Sequence, residues 1–190
     1  MNINSLSKLF KNFAVITSII GISAFAAIPA RADNHGKMKM SASNKNLVEV
    51  AVGSDSFDTL VKAVQAAGLA DTLASGSYTV FAPTDQAFEQ SLPQGALEFL
   101  LKPENKDLLR QVLSYHVVQG KVTSNQLTTG TVDTLYGGVA VRVTPQRVIV
   151  NNASVTNANI AASNGVIHAV NRVLLPQQLR QKIASKLAMQ

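Results

Sequence analysis

The chain has 190 residues, the length of one domain with tails, and carries 17 Lys and Arg against 11 Asp and Glu, a formal charge of +6. It has no cysteine, which excludes a disulfide framework, a thiolate nucleophile, Cys-ligated zinc or iron–sulfur centres and a lipid-modified amino-terminal cysteine. It also has no tryptophan and only three tyrosines (Tyr78, Tyr115 and Tyr136), so aromatic platforms for carbohydrate are not expected and the core must be aliphatic.

Met1 to Lys11 is polar and holds Lys8 and Lys11. An apolar run follows from Phe13 to Ile28, then Pro29 and the small-residue pattern Ala30-Arg31-Ala32. This order is that of a secretory signal peptide cleaved after Ala32. The apolar run falls short of the ~20 residues that span a bilayer, and its removal would leave no transmembrane anchor. The expected location is outside the cytoplasm, either periplasmic or extracellular. Without Lys8, Lys11 and Arg31, fourteen cations face eleven anions, a balance of +3 with no basic run. Nucleic acid is therefore not an expected partner.

Residues 33–45 are polar and without hydrophobic period, a flexible leader. Given that cleavage, the mature chain starts Asp33-Asn34-His35. A free α-amine, two deprotonable amides and an imidazole at position three form a four-nitrogen set suited to square-planar Cu(II) or Ni(II).

From Asn46 the pattern becomes globular. Phe57, Leu60, Val61 and Val64 predict a helix that Ser56 or Asp55 could cap and Gly68 ends, and a shorter helix spans 69–74. Residues 78–82 read as a strand closed by Pro83, with Thr84 as N-cap and Asp85 in the first turn of the next helix. Leu97, Leu100 and Leu101 form another helical piece. Pro103 suits a first helical position, and Leu108, Leu109, Val112 and Leu113 give one apolar face.

After Gly120 the pattern turns mostly to strands. Val139, Val141 and Val143 alternate with polar or small residues, between turns at Gly137-Gly138 and Pro145-Gln146. Strands follow over 147–150, 154–160 and 166–174, and then a helix from Pro176 with Leu179, Ile183 and Leu187 on one stripe. Without regular strand–helix alternation the fold class is α+β, in one globular domain with no internal repeat.

Three segments carry a family likeness. Thr79-Val80-Phe81-Ala82-Pro83-Thr84-Asp85-Gln86-Ala87-Phe88 and Asn164-Gly165-Val166-Ile167-His168-Ala169-Val170-Asn171-Arg172-Val173-Leu174-Leu175-Pro176 resemble the two signature segments of the fasciclin domain. Between them, Tyr115-His116-Val117-Val118 is similar to that family's tyrosine–histidine motif. The resemblance covers 46–176, leaving 177–190 as a terminal helix or tail. It implies a twisted β-sandwich or wedge with a helical layer. It also implies a secreted, non-catalytic module for cell adhesion or contact with a surface or matrix protein. Some family members are described as binding carotenoids, so a carrier of an apolar small ligand is the alternative.

The resemblance further implies that Tyr115 and His116 contact a receptor. Periodicity favours another reading of His116, as a core histidine bonded to backbone at the end of the helix that carries Leu108, Leu109, Val112 and Leu113. Asn105-Lys106-Asp107-Leu108-Leu109 is similar to a short Asp-centred adhesion motif of the family. The alternative is an ordinary first helical turn with buried leucines. His168 lies in a strand apolar on both faces, a central position in the sheet. It is expected to be structural and could pair with Asp85. No nucleophile accompanies such a pair, since the chain lacks both cysteine and a G-x-S-x-G turn, so no catalytic residue is assigned.

Overall fold

The computed structural model describes residues 44–189. The signal peptide expected at 1–32 lies outside the described residues, as does all but the end of the leader at 33–45.

The first element, α1 (Leu47–Val52), had no clear periodic signal because it is six residues long. Local capping makes it. Asn46 Oδ1 accepts from the N–H groups of Val48 and Glu49, while Glu49 Oε2 accepts from Asn46 N–H at 2.7 Å. Next come α2 (Asp58–Ala67), which ends on left-handed Gly68 as its sequence implies, and α3 (Ala70–Ser75).

The strand β1 (Tyr78–Pro83) leads into α4 (Asp85–Ser91), whose N-cap is Thr84. Then follow α5 (Ala96–Leu101), a 3₁₀ turn at Pro103–Asn105 and α6 (Lys106–Ser114). The strands β2 (Val117–Gln119), β3 (Gly130–Asp133), β4 (Gly138–Val143), β5 (Val148–Val150), β6 (Ala153–Ala162) and β7 (Gly165–Val170) precede the last helix, α7 (Gln177–Leu187). The sheet order is β2-β1-β7-β6-β5-β4-β3. Among the described strands, only β1 and β7 pair in parallel.

Alternation along these central strands divides the interior in two. Val80 and Ala82 of β1, with Ile167 and Ala169 of β7, face a core shared with the helices. Phe81 and Val170 face the other way, into a second core with Val118, Val139, Val141 and Val150. One sheet contributes both its ends to that second core, so it must curl over itself. The hydrogen bond from Leu135 N–H to Val117 O, 2.8 Å, joins the β3–β4 turn to β2. The result is the expected α+β wedge with a helical layer. α7 lays Leu179 and Ile183 on its own domain.

One cap was misplaced by sequence. Neither Ser56 nor Asp55 caps α2. Asp85 does so from the start of α4, accepting from Thr59 N–H at 2.7 Å, while its own N–H donates to Ser56 O at 3.0 Å. Burial raises the Asp85 pKa, but the hydrogen bonds from Thr59 and Asp58 and the nearby Lys62 charge outweigh it, so the carboxyl lies below its usual value. Replacing Asp85 by alanine should cost about 1 kcal/mol in denaturant unfolding, the typical worth of an N-cap. Asp85→Asn, which keeps the acceptor, should cost less.

Candidate functional site

The three motif segments, far apart in sequence, converge on the central strands. β1 and β7 are paired from Tyr78↔Gly165 to Pro83↔Val170, which sets Phe81 opposite His168. Their rings stack with centroids 5.6 Å apart. The third segment joins through Phe81 N–H, which donates to His116 O at 2.9 Å.

Every polar side chain at this junction bonds to backbone or holds a loop. Thr79 Oγ1 donates to Gly120 O and accepts from Val122 N–H. His168 Nδ1 accepts from Asn159 N–H at 3.3 Å, so Nε2 carries the proton and donates to Val122 O at 2.9 Å. Asn159, in a left-handed conformation (φ 61°) in the irregular stretch of β6, accepts from Ser124 N–H. Together, Thr79, His168 and Asn159 tie down residues 120–124.

His116 works in the same way. Nε2 accepts from Leu174 N–H at 2.8 Å, leaving Nδ1 to donate to Val112 O at 2.8 Å. The Val112 carbonyl is one of the four that the end of α6 leaves without a helical donor. Burial depresses the pKa of both histidines, that of His116 to about 4. Each ring is therefore neutral at pH 7, in one tautomer.

Asn164 and Gly165 form a second junction. Asn164 Nδ2 donates to the carbonyls of Leu73, Ala74 and Gly76, and Oδ1 accepts from Leu47 N–H. One amide thus fastens the end of α3 and the start of α1 to the β6–β7 turn. Pro83 and Phe88 are buried, and Thr84 Oγ1 accepts from Ala87 N–H.

Several expectations need correction. Asp85 and His168 do not pair, because each is committed to a different backbone segment. Tyr115 and His116 are not surface groups. Tyr115 is 6 % exposed, and its hydroxyl donates to Gly138 O and accepts from Asn151 Nδ2. The Asn105–Leu109 stretch is divided: Asn105 is buried with Nδ2 on Phe99 O, Leu108 and Leu109 are core, and only Lys106 and Asp107 face solvent. Asp33, Asn34 and His35, the set expected to suit Cu(II) if the chain is cleaved after Ala32, lie outside the described residues. Among the described residues no group of three His, Asp or Glu side chains could hold a metal.

The accessible apolar surface near this region is one that the sequence reading did not single out. The turn between β3 and β4 exposes Leu135 (49 %) and Tyr136 (37 %). Thr134 holds the turn, its N–H donating to Gly137 O while its hydroxyl accepts from Gly137 N–H. Tyr136 OH reaches Gln111 Oε1 at 3.2 Å. An open cleft of about 450 Å³ lies beside it, bounded by Tyr115, Gly138, Pro176, Gln177 and Gln181. A leucine–tyrosine pair inside a Thr/Gly turn was the available signal.

Comparison with known proteins agrees with this architecture. The Fasciclin domain model matches residues 55–176. Protein sll1483 of Synechocystis is 51 % identical over 132 residues, which cover 68 % of this chain and 73 % of that protein. The transforming growth factor-beta-induced protein ig-h3 of Sus scrofa is 40 % identical over 135 residues, 68 % of this chain but 19 % of that longer protein. Immunogenic protein MPB70 of Mycobacterium bovis is 42 % identical over 110 residues, covering 57 % of this chain and 54 % of that one. Among solved structures, the FAS1 domain pair of the insect cell adhesion molecule fasciclin I aligns with a TM-score of 0.63 at 16 % identity. That alignment covers 72 % of this chain and 53 % of the pair, so this chain spans about half of it. A further relative, 37 % identical over 109 residues, is a cell surface glycolipoprotein of Mycobacterium bovis. No helix among the described residues is long and apolar enough to cross a membrane. With the two signature strands paired at the centre of the sheet and the family model spanning them, this chain belongs to the fasciclin domain family.

Proposed function

We propose that the protein is an exported, non-catalytic module that binds a cell-surface or matrix protein, and that the β3–β4 turn is its contact surface. The observation that carries this reading is the division of labour around the motif segments. Their histidines, threonines and asparagines are spent on backbone hydrogen bonds, while the neighbouring turn presents Leu135 and Tyr136 to solvent beside an open cleft. Exposed aromatic and aliphatic anchors are the groups that dominate protein interfaces. The cell surface glycolipoprotein among the relatives supports the same reading.

The test is retention of a surface-protein extract on the immobilised chain. The double variant Leu135→Ser, Tyr136→Ala should lose about tenfold or more in retention, the scale of one hot-spot residue, at an unchanged melting temperature. Equal retention by the variant would remove the turn from the mechanism. Loss of retention only in unfolded variants would remove the motif-based reading altogether.

A second reading has its own observation. A cleft under α1 is lined entirely by apolar side chains, including Leu47, Ala51, Leu60, Val64, Val80 and Ile167. At about 30 Å³ it is far below the ~300 Å³ of a small-ligand pocket. A carotenoid-like ligand would enter only if α1 lifted away. An organic mass retained on native purification would favour this reading, and a bare chain would count against it.

A further inference from the structure

A third cleft, of about 230 Å³, lies between the end of α4, the turn after β7 and α7. Leu92, Val173, Leu175 and Ile183 supply apolar walls continuous with the helical core. Two arginines open onto it, Arg172 from the turn and Arg180 from α7. Arg180, Ile183 and Ala184 are spaced i, i+3, i+4, so one face of α7 brings the cation and the apolar wall together.

Among the described residues these cations have no counter-charge. No Asp or Glu lines the cleft, and neither guanidinium donates a hydrogen bond or pairs with a carboxylate among the described residues. Arg110 shows the contrast, with Nε and Nη2 both donating to Ala67 O at 3.3 and 3.0 Å. Two exposed guanidinium groups lining one apolar-walled cleft offer an anion there charge-assisted donors in a fixed fork geometry. Gln90 and Asn152 add neutral donors at the rim.

We propose that this cleft binds a small amphiphile, with an anionic head held by Arg172 and Arg180 and a short apolar body on Leu92, Val173 and Ile183. A carboxylate fits the planar guanidinium fork, and a sulfate monoester offers the same oxygen chemistry. The cleft, about 230 Å³ and open to solvent on one side, is far roomier than the one under α1 and admits a short apolar chain with its head at the rim. This site is separate from the β3–β4 turn and from the cleft under α1, so it stands or falls independently of both readings above.

The experiment is calorimetric titration of the purified chain with sodium octanoate below its micelle concentration, with octyl sulfate, octanol and acetate as comparison ligands. Octanoate should bind saturably at one site per chain, and octyl sulfate should compete with it. Octanol and acetate should each bind at least about tenfold more weakly, since one lacks the charge and the other the apolar body. The double variant Arg172→Gln, Arg180→Gln should weaken octanoate by about tenfold or more. Its melting temperature should not change, because both side chains are exposed. Amide chemical shifts should move at Val173 and Ile183 and stay still at Ala51 and Val64. Four results would each overturn the proposal: no saturable binding, equal binding of octanol, equal binding by the double variant, or shifts confined to the α1 cleft.

Discussion

Replacing His116 by leucine is expected to destabilise the fold by about 2–6 kcal/mol in denaturant unfolding. The estimate comes from two buried groups left without partners, the Leu174 N–H and the Val112 carbonyl, at about 1–3 kcal/mol each. Leucine fills most of the volume, so the loss measures the hydrogen bonds rather than a cavity. The same ring predicts acid sensitivity. Its pKa falls from 6.5 in the unfolded chain to about 4 in the fold, because burial disfavours the imidazolium. The unfolded chain therefore takes up a proton first as pH drops. Stability from this group is complete above pH 6.5 and is lost between there and about 4, amounting to about 3 kcal/mol. His168 is shifted in the same direction and adds to the loss. Asp85 acts in a different window: its depressed pKa supports the fold above the ordinary carboxylate value of 3.8 and fails only below it. Unfolding at pH 7.5 and pH 4.5 separates these effects. Wild type should weaken across that interval, and His116→Leu should show the smaller pH dependence. Equal pH dependence in both proteins would show that His116 is not the group that titrates.

A second large loss is expected for Gly165→Ala. A Cβ at this position would overlap the Tyr78 carbonyl oxygen and stand 2.8 Å from Leu47 Cδ1. Tyr78 belongs to the central strand β1, paired to β7 from Gly165 onward, so the obstacle is backbone rather than a yielding side chain. Relief requires parting the parallel pair that joins the two signature segments, at a cost of about 3 kcal/mol or more, in the range of severe overpacking. The readout is the urea midpoint, or the yield of folded protein where the loss exceeds the fold's total stability. Gly95→Ala is the control. Nothing lies near a Cβ there, and only the strain of a left-handed backbone (φ 78°) is added. A loss at Gly165 no larger than at Gly95 would show that the central pair yields.

These two positions also show what the motif segments do. In the sequence Thr79, Asn164, Gly165 and His168 read as structural residues of the motif segments, and His116 alone of the five was also a candidate for recognition. In the fold they supply hydrogen bonds to backbone that no helix or strand satisfies, or permit a close approach of two strands. The core reading of His116 was legible because Val112 precedes it by one helical turn on an apolar face. The partner of the other ring nitrogen, Leu174 N–H, lies 58 residues away, and no local spacing encodes it.

The sequence by itself determined the elements with strong local signals. These are the amphipathic helices around Leu60–Val64 and Leu108–Leu113, the Gly68 stop, the Thr84 cap, the alternation of Val139, Val141 and Val143, and the doubly covered strand at His168. Each follows from side-chain period or backbone preference within a few residues, where physical chemistry acts without the rest of the chain. The tertiary structure alone decided the others. β2 is too short, at three residues, to show a period. The α2 cap comes from Asp85, 26 residues on from Thr59. Tyr115 is buried because the sheet curls and brings Gly138 and Asn151 to its hydroxyl, which moves the accessible surface to Leu135 and Tyr136. Arg172 and Arg180 share a cleft only because α7 folds back along the turn after β7. Burial is a property of the closed sheet and its packed helices, and it decides which of the chain's polar residues are structural and which are free to meet a partner.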